Sequence, residues 1–205
     1  MYKKYPIIVF EGIEGSGKSL HIRNVQNHLK KRKIKFIKIR EPGGSKSSEK
    51  IRKLILSNNS NFNKLSDLFL YMASRNENMQ NKIKKNYKKK VILIDRFKDS
   101  TLAYQHYGMN IDKKLINNLN NIVLKNVKPN FTFLNVVSMK NLKKRIDRRR
   151  KNRYDRFNYR FYSKVQKGFI KLAKNKKNYM IINSNDNILE NKIKILKKIN
   201  FLLAI

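Results

Sequence analysis

The chain alternates between short apolar runs and longer stretches in which apolar residues recur every three or four positions. Ile7–Phe10 is apolar throughout and predicts a buried strand. Ile22, Val25 and Leu29 fall on one face of 18–31 and predict a helix there. The same two patterns predict strands at 34–39, 91–94, 131–137 and 179–182. They predict further helices at 49–56, 65–85, 112–126, 139–150, 165–173 and 188–201. Glu41-Pro-Gly-Gly44 stops the second strand in a turn. Residues 148–162 are basic and aromatic without a clear period, and read as a short mobile lid. Strands that alternate with helices and are largely apolar predict an α/β fold. The expected core is a five-stranded parallel sheet with helices on both faces.

Length and composition narrow this picture. A chain of 205 residues predicts a single domain, 1–205. No apolar run approaches the ~20 residues needed to span a bilayer, and the start shows no secretory h-region. The expectation is a soluble cytoplasmic protein with no membrane partner. Without cysteine, disulfides and thiolate-bound metal are excluded. Three scattered histidines (His21, His28 and His106) make no zinc site. Fifty Lys+Arg against 13 Asp+Glu give a net charge of +37. That charge fits nucleic-acid binding. It also fits drift towards A/T-rich codons, because Lys, Asn and Ile are all heavily used and the positive residues run along the whole chain. Their even spread favours drift, so no specific nucleic-acid partner is expected.

One segment carries explicit chemistry. Gly12-Ile13-Glu14-Gly15-Ser16-Gly17-Lys18-Ser19 matches the phosphate-binding loop G-x-x-x-x-G-K-[ST] between a strand and a helix. Its glycines allow backbone N–H groups to close on phosphate oxygens, and the helix start adds positive potential. Lys18 reaches towards β- and γ-phosphates, and the Ser19 hydroxyl suits Mg²⁺. Asp95 ends the third strand, at the sheet edge where α/β proteins bind ligands, and can bring a carboxylate to the same Mg²⁺. These residues predict ATP–Mg²⁺ binding and leave the phosphoryl acceptor open.

Four further stretches resemble thymidylate kinases. Phe10-Glu-Gly-Ile-Glu-Gly-Ser-Gly-Lys-Ser19 is similar to the opening motif of that family. So are Arg40-Glu-Pro-Gly-Gly44, Leu70-Tyr-Met-Ala-Ser-Arg75, and Asp95-Arg-Phe97 with Asp99-Ser-Thr-Leu-Ala-Tyr-Gln105. They stand in family order and cover essentially the whole chain. The resemblance implies a P-loop kinase fold, transfer of the γ-phosphoryl of ATP to dTMP, and a homodimer. It implies that Arg96 grips the acceptor phosphate and that Tyr71 stacks on thymine, where the family has Phe. Arg75 would meet the thymine carbonyl edge, and Arg40 would lie near the acceptor. Ser100, Thr101 and Gln105 would hydrogen-bond base or sugar, Tyr104 would pack on deoxyribose, and Glu14 would reach the 3′-OH.

The loop lacks an arginine, whereas the lid holds Arg148, Arg149, Arg150, Arg153 and Arg156. This resembles the bacterial lid-arginine type, and implies a catalytic arginine there: Arg153 first, then Arg149 or Arg150. Leu20, His21, His106 and Asn158 depart from the usual family residues. Two other readings remain at this stage: a kinase for another nucleotide or nucleoside, and a P-loop ATPase that binds nucleic acid.

Overall fold

The computed structural model describes residues 5–146 and 153–205. Five parallel strands form one sheet in the order β2-β3-β1-β4-β5. They are β1 (Ile7–Glu11), β2 (Phe36–Arg40), β3 (Val91–Asp95), β4 (Phe131–Val136) and β5 (Tyr179–Asn183). Strand residues alternate between two cores. Ile8 and Phe10, with Val91, Leu93, Phe131 and Phe133, pack on Ile22, Val25 and Leu29 of α1 (Lys18–Lys31) and on Ile195 and Ile199 of α9 (Ile188–Leu203). Ile7, Val9, Ile92 and Ile94 face the other way, towards Met79, Ile83 and Leu124. The period of two along doubly buried strands produces the covered parallel sheet that the apolar runs predicted. The edge strands β2 and β5 are less buried and carry polar residues such as Lys38 and Asn183.

Local chemistry sets the helix starts. Ser45 caps α2 (Lys46–Leu56) through the Ser48 N–H, and Asn63 caps α3 (Lys64–Asn78) through the Ser66 N–H. The predicted single helix 65–85 is divided: α3 gives way to a wide π-type turn, Met79–Ile83, and then α4 (Lys84–Asn86). The π turn keeps both Met79 and Ile83 in the core. A helical stretch that the pattern did not reveal comprises α5 (Lys98–Thr101) and a π segment, Leu102–Gly108. Leu102, Ala103, Tyr104 and Gln105 are consecutive buried residues, so no one-sided period marks it. After α6 (Lys113–Leu124), α7 is described over Met139–Ile146.

The lid expectation needs correction over its second half. Arg153–Arg156 form a 3₁₀ turn, and α8 spans Tyr159–Ala173, six residues ahead of its predicted start. Asn158 caps α8 by accepting from the Phe161 N–H at 2.9 Å. Arg148, Arg149 and Arg150 lie outside the described residues. Among those described, no helix is long and apolar enough to cross a membrane.

Candidate active site

The sheet delivers β1 into a loop that turns around its own backbone. Gly12 has φ 137°, and a Cβ there would stand 2.3 Å from the Asn135 carbonyl of β4, so only glycine permits the approach. The Lys18 ammonium donates to the Gly12 and Ile13 carbonyls at 2.9 and 2.8 Å. Burial lowers its pKa to about 8, aided by the Arg96 charge and opposed by Asp95 and Glu14. Lys18 thus spans the loop as an internal brace, with its charge held where phosphate would compete for it. Ser19 is exposed on the first turn of α1. Asp95 closes β3, in register with Phe10 of β1.

The turn after β3 carries the second cation. Arg96 adopts φ 68°, a left-handed conformation that a non-glycine residue holds only where its surroundings enforce it. Its guanidinium donates to the Gly12 carbonyl at 2.7 Å, to Glu14 at 2.7 Å and to Ser100 at 3.2 Å. It also lies 5.2 Å from the Tyr104 ring centroid. Burial works against its charge, but Glu14 and Tyr104 outweigh that and raise its pKa. The Tyr104 hydroxyl in turn donates to Glu14.

A pocket opens beside this pair. Glu14, Arg52, Tyr71, Arg75, Arg96, Ser100, Thr101, Tyr104, Gln105 and Tyr154 all contribute to its wall. Arg75 is fully buried at its far end. It donates to Glu41 at 2.7 Å, Asn120 at 2.6 Å and Thr101 at 2.9 Å, while its guanidinium lies 5.5 Å from the Phe97 ring. A fourth, weaker contact runs from Nη1 to the Met72 sulfur at 4.0 Å, so of its five N–H groups one, on Nη2, is left for a guest. Tyr71 meets Tyr154 edge-on at 6.1 Å. Arg52 and Arg96 each repel the other's charge across the pocket mouth, so an anion between them relieves both. A second depression, lined by Gly15, Gly17, His21, Arg145, Ser184 and Asn191, adjoins the loop on its other side. Two sites therefore flank one phosphate cradle, as a two-substrate phosphoryl transfer requires.

Comparison with known proteins agrees with this arrangement. A family model described as thymidylate kinase matches residues 10–195. The chain belongs to the thymidylate kinase family. The thymidylate kinase of Thermosipho africanus is 37% identical over 182 residues, covering 88% of this chain and 90% of that protein. That of Mycoplasma capricolum is 38% identical over 187 residues, covering 88% of each. The crystal structure of the Ehrlichia chaffeensis thymidylate kinase matches with a TM-score of 0.77 at 31% identity, covering 96% of this chain and 98% of that one. Like other thymidylate kinases, the protein is a phosphotransferase of the nucleoside-monophosphate kinase class.

Two residues expected at the site, Arg40 and Arg153, are not among those that line the pocket. Arg40 is exposed and ion-paired with Glu49 at 2.9 Å, because β2 is an edge strand and the side chain turns to α2. Arg52, two helical turns into α2, lines the pocket in its stead and donates to the Pro42 carbonyl at 2.6 Å. Its only sequence signal was a cation on the α2 face that follows the Gly-Gly turn. Arg153 binds both oxygens of Asp67, at 2.6 and 2.7 Å, and lies against the Phe62 and Tyr154 rings. That ion pair, made through Nη2, anchors the 3₁₀ turn to α3. Arg149 and Arg150 fall outside the described residues. Arg145 of α7, which the sequence reading did not single out, donates to the Gly15 carbonyl at 3.0 Å and the Ser184 carbonyl at 2.7 Å.

Proposed function

We propose that the protein transfers the γ-phosphoryl group of ATP to dTMP, giving ADP and dTDP for dTTP synthesis. A 5′-phosphate oxygen of dTMP attacks the γ-phosphorus while its bond to the β–γ bridging oxygen breaks, and the electron pair leaves with ADP. The observation that carries this reading is the pocket with Arg96 and Arg52 at its mouth and Arg75 at its floor, beside the loop of Lys18. Its spacing of cation, aromatic wall and buried guanidinium suits a phosphate, a sugar and a base in that order.

Each residue then has a task. Backbone N–H groups of 12–19 and Lys18 hold the ATP phosphates. Arg96, released from Glu14, and Arg52 hold the dTMP phosphate in line; guanidinium groups present paired donors to phosphate oxygens. Tyr71 stacks on the base, and the remaining Nη2–H of Arg75 meets its carbonyl edge, with Thr101 and Gln105 alongside. Tyr104 packs where a 2′-OH would need space, and Glu14 accepts from the 3′-OH. Ser100 steadies Arg96. Arg153 fixes the lid on Asp67, while Arg149 or Arg150 supplies charge to the transferring group. Arg145 borders the ATP side.

Ser19 and Asp95 offer a hydroxyl and a carboxylate, hard oxygen donors suited to an ion that keeps water and phosphate among its ligands. The described residues contain no set of three His, Cys, Asp or Glu side chains that would make a complete protein cage. The pair therefore fits Mg²⁺, which would arrive with ATP and offset charge on its β- and γ-phosphates. The enzyme is read as a cytoplasmic homodimer.

The test is ADP release from ATP–Mg²⁺ with dTMP, dUMP, dGMP, AMP or thymidine as separate acceptors, and with DNA in a parallel sample. Turnover with dTMP well above the others is expected. Hydrolysis stimulated by DNA, with no phosphorylated nucleotide, would replace this reading with that of a nucleic-acid-dependent ATPase.

A further inference from the structure

We infer that Glu11, the residue just before the phosphate loop, is a positioning residue that holds Arg96 in its working conformation. Glu11 is buried at the end of β1, under the turn that leaves β3. Its Oε1 accepts from the Phe97 N–H at 2.8 Å and the Ser100 N–H at 3.2 Å. Its Oε2 is joined to the Ser100 hydroxyl at 2.5 Å. These are the groups on either side of α5's first turn. Phe97, the residue preceding α5, makes no side-chain cap of its own. Glu11 therefore caps that turn from another strand: it accepts from the buried Phe97 N–H and shares the Ser100 N–H with the Phe97 carbonyl, which lies 3.1 Å from the same nitrogen.

Arg96 lies directly before Phe97 and is held at φ 68°. Such a backbone persists only when its neighbours over-determine it. Its own N–H donates to the Phe10 carbonyl at 2.9 Å, and its guanidinium to Gly12 at 2.7 Å. Glu11 sits between those two residues in the chain and binds the two N–H groups just beyond Arg96. Ser100 completes the circuit, touching Glu11 and Arg96 with one oxygen. One side chain thus ties the start of the ATP loop to the arginine of the acceptor site. Glu11 itself lines neither of the two pockets beside the loop. Burial, with the Asp99 carboxylate beside it, raises its pKa to about 8, so near neutrality it is mostly a neutral acid. A glutamine reproduces that form: one oxygen accepts from both N–H groups and the amide donates to Ser100.

The inference rests on dTMP as acceptor, which wild-type turnover checks independently. The experiment compares Glu11→Gln, Glu11→Asp and Glu11→Ala at pH 7. kcat and KM for dTMP come from ADP release, and ADP–Mg²⁺ affinity from calorimetry. Glu11→Gln is expected within about threefold of wild type in every quantity. Glu11→Asp, one methylene too short, and Glu11→Ala should lose about a hundredfold in kcat/KM for dTMP. Their ADP–Mg²⁺ affinity should stay within about threefold. If Glu11→Ala does not fold, Glu11→Asp decides. A Glu11→Asp enzyme with wild-type kcat/KM for dTMP would overturn the inference. So would equal losses of dTMP and ADP–Mg²⁺ affinity, which would mark a general structural role.

Discussion

Replacing Asp67 with alanine frees the lid from α3, and the structure sets the size of the effect. Asp67 is buried in the first turn of α3, and its two oxygens hold Arg153 at 2.6 and 2.7 Å. The Tyr154 hydroxyl adds a weaker bond at 3.2 Å. A hydrogen bond to a charged group is worth about 1.5–3 kcal/mol, and a carboxylate in a first helical turn about 0.3–1 kcal/mol. Arg153 keeps its contacts with the Phe62 and Tyr154 faces and can recover part of its hydration. The net loss should be about 3 kcal/mol. For a chain of this length that is a fall in Tm of about 6–12 °C.

The pocket should respond as well. Tyr154 lines it and meets Tyr71 and Tyr104 edge-on, so a loosened 3₁₀ turn weakens dTMP binding more than ATP binding. Thermal unfolding of Asp67→Ala, Arg153→Ala and the double variant gives the coupling between the two residues, expected at about 1.5–3 kcal/mol. Steady-state assays on the same proteins should show KM for dTMP raised and kcat lowered less. Additive single effects, with coupling below about 0.5 kcal/mol, would refute the anchor. A large loss of kcat confined to Arg153→Ala, with Asp67→Ala unaffected, would return Arg153 to the transferring phosphoryl group.

Three further outcomes are expected. Glu11 titrates near 8 when folded against 4.5 ordinarily, so the folded state keeps a proton that the unfolded chain has released. Its contribution is complete below pH 4.5 and is lost as pH rises through 8, by at most about 5 kcal/mol; denaturant midpoints from pH 5 to 8 should fall in wild type and flatten in Glu11→Gln. Gly168→Ala would ordinarily favour a helix by up to ~1 kcal/mol, but its Cβ would stand 2.5 Å from the Tyr107 ring. A net loss of about 2 kcal/mol is expected, read as a lower Tm. Arg52→Ala should raise KM for dTMP about tenfold or more, while Arg40→Ala leaves it nearly unchanged.

Much of this architecture was readable because the central strands are short, largely apolar runs and α1 carries one clean stripe. The phosphate loop was readable because its spacing is dictated by phosphate itself. What escaped the sequence has physical causes. The 98–108 stretch is buried on several sides, so its pattern has no period. Arg52 and Arg40 are both turn-proximal cations, and only the edge position of β2 tells which one faces the pocket. Arg153 resembles its lid neighbours until Asp67, 86 residues away in the chain, claims it. Glu11 lay within the opening motif without a task, because its partners are two backbone N–H groups and a hydroxyl 86 to 89 residues away in the chain, which no local residue pattern displays.

The central claim is that phosphate moves from ATP to dTMP rather than to water. Phosphorus-31 NMR of the enzyme with ATP–Mg²⁺ and dTMP follows both fates in one tube. The account predicts that the dTMP resonance declines while the α- and β-resonances of dTDP and ADP grow together, with negligible inorganic phosphate. Growth of ADP and inorganic phosphate beside an unchanged dTMP resonance would contradict it.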